Sequence, residues 1–237
     1  MAASWLAIHQ KKLHYSPEDN MSKKILVLGA SKGIGAKCAE HFQDTGHSII
    51  TVARSGSMTL NGDVASPEFR NQILALEVDV VINCIGGWGN LPYAHAMHVN
   101  AGVAIDLMMR FYDRLPVGSH IINISSLAGN FTSGWANMSA ERVVYMASKQ
   151  AMSAATTALA QSKRRDIRVT TIEPGEVHPT SFGPNKQVPD SNYTNFQFES
   201  FTPYRPQDIA DVVDWVISSP PWFGISRITL NNHCKKG

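Results

Sequence analysis

The sequence predicts an α/β fold in which one parallel sheet is covered by helices on both faces. Three observations predict it. Short apolar runs of strand length recur along the chain, segments with apolar residues at helical spacing stand between them, and no internal repeat or interdomain linker interrupts the alternation. Strand–helix–strand units make parallel sheets because a parallel partner needs a crossover long enough to hold a helix. With 237 residues, 43% hydrophobic and 17% charged, the chain has a globular composition and can bury a substantial core as one domain.

Residues 24–28 are a continuous apolar run ending in a glycine-rich turn, the pattern of a buried parallel strand. Residues 33–45 carry Ile34, Cys38, Ala39 and Phe42 at helical spacing and stop at Gly46, a C-cap residue. Residues 48–53 form a second strand rich in Ile, Thr and Val, and residues 59–64 a weaker third. Pro67, suited to a first helical turn, opens the next helix. A fourth strand over 78–83 precedes a helix over 100–115, where Val103, Leu107 and Phe111 share a face. A fifth strand (120–125), a long alanine-rich helix (141–165), a sixth strand (167–173), a helix (206–218) and a last strand (225–230) complete the series. Lys163-Arg164-Arg165 reads as the basic end of the long helix. Residues 1–20 lack this pattern and are read as an arm ahead of a single domain over 21–237.

A formal net charge of +2, without a long basic run, argues against a nucleic-acid partner. No apolar run approaches the roughly 20 residues of a membrane span. The first 20 residues hold no long apolar region, so no secretory signal is expected. Three cysteines without C-x-x-C spacing suggest reduced thiols and a cytoplasmic setting. His95 and His98 are three apart with no third ligand, so no metal site is expected.

Two constellations carry chemistry. The first strand runs into Gly29-Ala30-Ser31-Lys32-Gly33-Ile34-Gly35. Glycines there let the backbone turn tightly and let a diphosphate approach the N-terminus of the next helix. Downstream, Ile124-Ser125-Ser126-Leu127-Ala128-Gly129 closes a strand, and Tyr145-Met146-Ala147-Ser148-Lys149 lies on the long helix. Tyr and Lys four apart share a helix face, and a nearby ammonium favours a phenolate, bringing tyrosine nearer the range of a useful acid/base. A strand-end serine hydroxyl can hydrogen-bond a carbonyl oxygen as charge builds on it.

In that order, these motifs resemble the short-chain dehydrogenase/reductase family over residues 21–230: the G-x-x-x-G-x-G turn, the strand-end serine, and Y-x-x-x-K. The resemblance implies a Rossmann-like, doubly wound sheet of about seven strands in order 3-2-1-4-5-6-7. It implies hydride transfer between a nicotinamide and a carbonyl or alcohol substrate, and a homodimer or homotetramer. By the same resemblance Tyr145 is the general acid/base, Lys149 lowers its pKa and holds the nicotinamide ribose, and Ser126, directly before Leu127, orients the substrate carbonyl. Asn100 stands where the family has an asparagine supporting a water-linked proton relay; a helix N-cap is its other reading, and both can hold at once. The cofactor positions are Gly29, Ser31, Lys32, Gly33, Ile34 and Gly35 in the turn, then Asp63 and Val64 at adenine. Asn83 and Gly86 follow the fourth strand, and Pro174, Gly175, Val177 and Thr180 lie beside the nicotinamide. Leu28 and Cys84-Ile85 depart from the family pattern. So do a shortened stretch before Asn100 and a lengthened one before Tyr145, which bear on substrate class rather than reaction type.

Cofactor choice is read from residues. An acidic residue at the end of the second strand commonly bonds the NAD ribose; here Ala53 is followed by Arg54 and Ser55, and Lys32, inside the glycine turn, would point towards the same ribose. Two cations and no carboxylate suit the 2′-phosphate of NADP(H) better than NAD(H), the other reading being two solvated charges. The reading is an NADP-dependent oxidoreductase of carbonyl-reductase type. A non-catalytic redox sensor or scaffold protein binding NADP(H) is the alternative, which the intact Ser126, Asn100, Tyr145 and Lys149 set opposes. An isomerase or dehydratase would resemble members with an added C-terminal domain. Trp88 and Trp135 are candidate pocket walls, Glu176 and His178 candidate substrate contacts, and residues 181–204, with Phe196, Phe198 and Phe201, a candidate lid. Small residues from Ala147 to Ala158 mark the long helix as the surface of self-association.

Overall fold

A computed structural model of the chain describes residues 22–87, 92–130, 139–162, 164, 166–180 and 202–232. Seven parallel strands form one sheet in the order β3-β2-β1-β4-β5-β6-β7. They are β1 (Lys24–Leu28), β2 (Ser48–Ala53), β3 (Leu60–Asn61), β4 (Val80–Asn83), β5 (His120–Ile124), β6 (Arg168–Pro174) and β7 (Arg227–Leu230). The helices are α1 (Gly33–Asp44), α2 (Pro67–Leu74), α3 (Tyr93–Met97), α4 (Ala104–Arg114), α5 (Ala140–Ala160) and α6 (Pro206–Ser218). This is the single Rossmann-like domain and strand order that the resemblance implies. The chain winds outward from β1 to β3, then returns to the other side of β1 as β4. That reversal opens a crevice beyond the C-terminal ends of β1 and β4, where ligands of doubly wound sheets bind.

Alternation along β1 sorts the core into two layers. Leu26 and Leu28 face a cluster with Phe69 and Ile73 of α2 and Leu107 and Phe111 of α4. Ile25 and Val27 face the opposite cluster, with Cys38 and Phe42 of α1 and Ile209, Val213 and Ile217 of α6. Each fully buried side chain of this size contributes about 1.5–3 kcal/mol, so these two layers hold the sheet. At the rim of the second layer His41 Nε2 meets Asp214 Oδ2 at 2.9 Å, joining α1 to α6. No helix among the described residues is long and apolar enough to cross a membrane.

The elements differ most from expectation in four places. The third strand is two residues long: Gly62 N makes a last bond to the Ala53 carbonyl oxygen of β2 at 3.0 Å, and Asp63 Oδ1 then accepts from Ala65 N at 2.9 Å, turning the chain towards α2. The helix expected from Asn100 starts earlier: α3 runs through a π-helical turn, His98–Val103, into α4, so Asn100 is inside a continuous helix and is not its N-cap. α5 ends at Ala160 rather than Arg165. Arg164 instead turns back and donates to the carbonyl oxygens of Tyr112 and Leu115, so it caps the end of α4 and not of its own helix. The arm over residues 1–20, Trp88, Trp135 and residues 181–201 of the expected lid lie outside the described residues.

Candidate active site

A cleft of about 710 Å³ runs along the C-terminal ends of the central strands. Its first half is made of backbone. Gly29 leaves β1 with φ +80, and a Cβ there would stand 2.9 Å from the carbonyl oxygen of Cys84. A Cβ on Gly35 would stand 2.3 Å from the carbonyl oxygen of Gly29. Only glycine lets the turn fold back on itself this tightly. No side chain caps the first turn of α1, a helix end suited to an anion. Arg54 and Lys32, both exposed, line this half together with Asp63 and Val64.

The second half is made of side chains. Ser126 leaves β5 and accepts from Ala128 N at 3.1 Å, which turns the chain into a short 3₁₀ segment. Tyr145 and Lys149, both buried, face it from α5. Lys149 Nζ lies 5.9 Å from the Tyr145 ring centroid and donates to the carbonyl oxygen of Ile124 at 3.2 Å. A Cβ on Gly86 would come within 3.1 Å of that amine. Ser125 Oγ donates to the Lys149 carbonyl oxygen at 3.1 Å and accepts from Ser153 Oγ at 2.8 Å, tying α5 to the end of β5.

Burial controls both ionisable groups. It pushes the Tyr145 hydroxyl up to about 12, opposed by a hydrogen bond with Ser126 and reinforced by the nearby Glu176 carboxylate. It takes Lys149 down to about 8, with Cys84 acting against the shift. The sequence reading has Lys149 lowering the Tyr145 pKa; here the dry surroundings of both groups outweigh that attraction and favour a neutral phenol.

The chain is 34% identical over 245 residues to the Bos taurus protein named dehydrogenase/reductase SDR family member 11, a match covering 86% of this chain and 94% of the relative. The chain belongs to the short-chain dehydrogenase/reductase family. The family model described as short chain dehydrogenase matches residues 76–188. A Salmonella typhi relative named NADP-dependent 3-hydroxy acid dehydrogenase YdfG is 27% identical, with 87% of this chain and 93% of that protein covered. Among solved structures, 4-hydroxyisoleucine dehydrogenase complexed with NADH shares the fold at TM-score 0.70 and 21% identity, over 90% of this chain and 98% of that one. The closed form of serine dehydrogenase complexed with NADP+ does so at TM-score 0.69 and 22% identity, over 87% and 94%.

In this short-chain dehydrogenase/reductase, every catalytic and cofactor position named from the sequence lines the cleft except Asn83 and Asn100. Asn83 is turned inward. Its Nδ2 donates to Asn123 Oδ1 at 2.9 Å and its Oδ1 accepts from Ile85 N at 3.0 Å, fastening β4 to β5. Asn100 is fully buried and grips Gly87: Oδ1 accepts from Gly87 N at 2.8 Å and Nδ2 donates to Gly87 O at 2.9 Å. It also donates to Ser148 Oγ at 3.3 Å, on the helix of Tyr145.

Sequence reasoning missed other cleft residues. Arg142 lines it one turn before Tyr145, a spacing that could have been read. Asn232 lies past the last strand and bonds both backbone groups of Glu176, accepting from its N at 2.7 Å and donating to its O at 3.1 Å; no local signal marks it. Of the two candidate substrate contacts, Glu176 lines the cleft, while His178 is buried and meets the Glu176 carboxylate at 2.8 Å.

Proposed function

We propose that this family member is an NADP(H)-dependent oxidoreductase that interconverts a carbonyl and an alcohol, with Ser126, Tyr145 and Lys149 as its catalytic residues. The nicotinamide, when bound, supplies or accepts the hydride. The observation that carries the reading is one continuous cleft joining the glycine turn to Ser126 and Tyr145. In the reducing direction Tyr145 donates its proton to the carbonyl oxygen, and Ser126 orients that oxygen by a hydrogen bond. A phenol held near 12 is protonated at neutral pH, which supports Tyr145 as the acid. Lys149 anchors beside β5 through Ile124 and would hold the ribose. Asn100 positions Gly87 and the helix of Tyr145 through Ser148.

The dinucleotide fits the residues present, since the first turn of α1 has no side-chain cap and leaves its backbone N–H groups to a diphosphate. Ser31, Gly33, Ile34, Gly86, Asp63, Val64, Pro174, Gly175, Val177 and Thr180 would line it, and Asn83 would act only through the backbone it holds. Arg54 and Lys32, beside Ala53, support a 2′-phosphate, as does a relative named NADP-dependent. Arg142 beside Tyr145 supports an anionic substrate such as a 3-hydroxy acid, the class in the YdfG name.

An outward face of α5 with Val143, Ala147, Ala154 and Ala158 exposed supports a dimer or tetramer. The free thiols of Cys38 and Cys84 support a cytoplasmic setting. The test is a panel of 3-oxo acids and neutral ketones with NADPH or NADH, followed at the nicotinamide absorbance band. Cofactor binding without turnover on any carbonyl would move the reading to the sensor alternative.

A further inference from the structure

Glu176 reaches the cleft on a turn that is held at both its backbone and its side chain. Asn232 accepts from Glu176 N at 2.7 Å and donates to its carbonyl oxygen at 3.1 Å; Tyr204 N donates there as well, at 2.9 Å. A Cβ on Gly175 would stand 2.2 Å from Asn232 Oδ1, so this clasp closes against bare backbone. At the side chain, Oε1 meets Nε2 of His178 at 2.8 Å, and His178 is only 1% exposed. A carboxylate can only accept, so Nε2 carries the proton and fixes that oxygen in place. The Glu176 side chain is otherwise 45% exposed, and no Lys or Arg pairs with it among the described residues.

Such a carboxylate works against the chemistry of an empty cleft. Its charge helps to raise the Tyr145 pKa, which hinders loss of the phenol proton whenever an alcohol is oxidised. An anchored anion beside the reacting group is suited to a cation that arrives with the substrate. The opposite charge stands on α5: Arg142 lines the same cleft one helical turn before Tyr145. A small molecule at Tyr145 therefore meets one fixed anion and one cation.

We propose that Glu176 is a specificity-determining residue that takes a protonated amine of the substrate, which makes the substrate class a 2-amino-3-hydroxy acid. The ammonium donates to Glu176, the carboxylate accepts from Arg142, and the C3 hydroxyl meets Ser126 and Tyr145. The three groups stand on neighbouring carbons, so one small molecule answers both charges without leaving Tyr145. On oxidation the C3 hydride passes to NADP+ and the hydroxyl proton to Tyr145, which leaves a 2-amino-3-oxo acid and NADPH. With an ammonium on Glu176 the carboxylate no longer opposes loss of the Tyr145 proton. An amine-free 3-hydroxy acid leaves that opposition in force, which discriminates against it.

The inference rests on the hydride-transfer reading, and its test separates the two. Full-length protein with NADP+ is given 2-amino-3-hydroxybutanoate, 2,3-dihydroxybutanoate or 3-hydroxybutanoate, each as a mixture of stereoisomers, and followed at the nicotinamide absorbance band. The amino acid should exceed both others in kcat/KM by at least about tenfold, the scale of a hydrogen bond between charged groups. Glu176→Gln keeps the shape and loses the charge. It should lower kcat/KM for the amino acid by about 10- to 150-fold relative to 3-hydroxybutanoate, and Glu176→Asp should recover part of the preference. Calorimetry in the presence of NADP+ should show the amino acid binding to wild type and about tenfold or more weakly to Glu176→Gln.

Equal use of the three acids by wild type, preference for either amine-free acid, or a preference that survives Glu176→Gln would overturn the proposal and leave hydride transfer standing. If none of the alcohols is oxidised and no ketone is reduced, the hydride-transfer reading falls and calorimetry decides for Glu176. Binding lost with the charge then supports the amine site, and equal or absent binding overturns it. Should Glu176→Gln not fold, the wild-type ranking and Glu176→Asp decide.

Discussion

The two halves of the cleft are built on opposite plans. The half at β1 and α1 is shaped by missing side chains: at Gly29 and Gly35 a single Cβ would collide with backbone. The half at β5 and α5 is shaped by side chains, each fixed by another: Ser153 on Ser125, Ser125 on the Lys149 backbone, Asn100 on Ser148 and Gly87. The first plan gives a surface that accepts a ligand and does nothing to it. The second gives groups that can move a proton, at the cost of placing a phenol and an amine where water is scarce. Binding and chemistry should therefore come apart under mutation.

The largest expected separation is at Tyr145. Tyr145→Phe should lower turnover at least about 10²-fold, the scale of lost general acid catalysis, while NADPH affinity stays near wild type. Single-turnover kinetics beside a binding titration check it; a matching loss of affinity would merge the two halves.

Arg54→Ala should do the reverse. Losing one charge-assisted hydrogen bond of roughly 1.5–3 kcal/mol lowers NADPH affinity by about 10- to 150-fold. NADH affinity and turnover at saturation should barely change, and Lys32→Ala added to it should act less than additively, since both cations would share one phosphate. Equal weakening of both cofactors would remove the 2′-phosphate assignment.

Lys149 tests whether the half around Tyr145 is held against stability. Its amine is lowered from 10.5 to about 8 by burial, so between those values the unfolded chain binds more protons than the folded one. Wild-type stability should thus rise with pH across that window, and the full penalty, roughly 3 kcal/mol, should act below it. Lys149→Met removes the penalty but also the bond to Ile124, which offsets about 1 kcal/mol. At neutral pH the variant should be more stable by about 2 kcal/mol and inactive, and its advantage should vanish above the window. Denaturant titrations at several pH values measure this, and a variant less stable at neutral pH contradicts it.

The smallest effect should come from Ser148→Ala. Asn100 keeps both bonds to Gly87, so the loss should be about 1 kcal/mol of stability with little change in turnover. A large drop in turnover would mean that Ser148 positions Tyr145 directly.

Legibility followed the same division. Glycines advertise a backbone site because few other demands call for three within seven residues, so the first half could be read almost whole. Strands β1 and β5 were equally plain, as apolar runs buried on both faces have few other uses. The supports of the second half were hidden. The place of Asn83 depends on its pairing with Asn123, which exists only once β4 and β5 are in register. Arg164 answers the end of α4 and not its own helix, so local charge pattern misled. Asn100 looked like a helix start because asparagine favours that place. Nothing in His98-Val99-Asn100 announces that the helix has already begun and widened.

That widening has a mechanical meaning. A π-turn holds one residue more than an α-turn would, so the helix on either side is offset by the angle of one residue, about 100°. The segment His98–Val103 therefore works as a phase shifter between α3, which carries His95 to the cleft, and α4, which is anchored in the core. Deleting Gly102 alone should let the helix close to regular geometry and rotate α3 about its axis, swinging His95 away from the cleft while Leu107 and Phe111 keep their places. One residue of chain length, with no change in chemistry, would then re-aim one wall of the cleft.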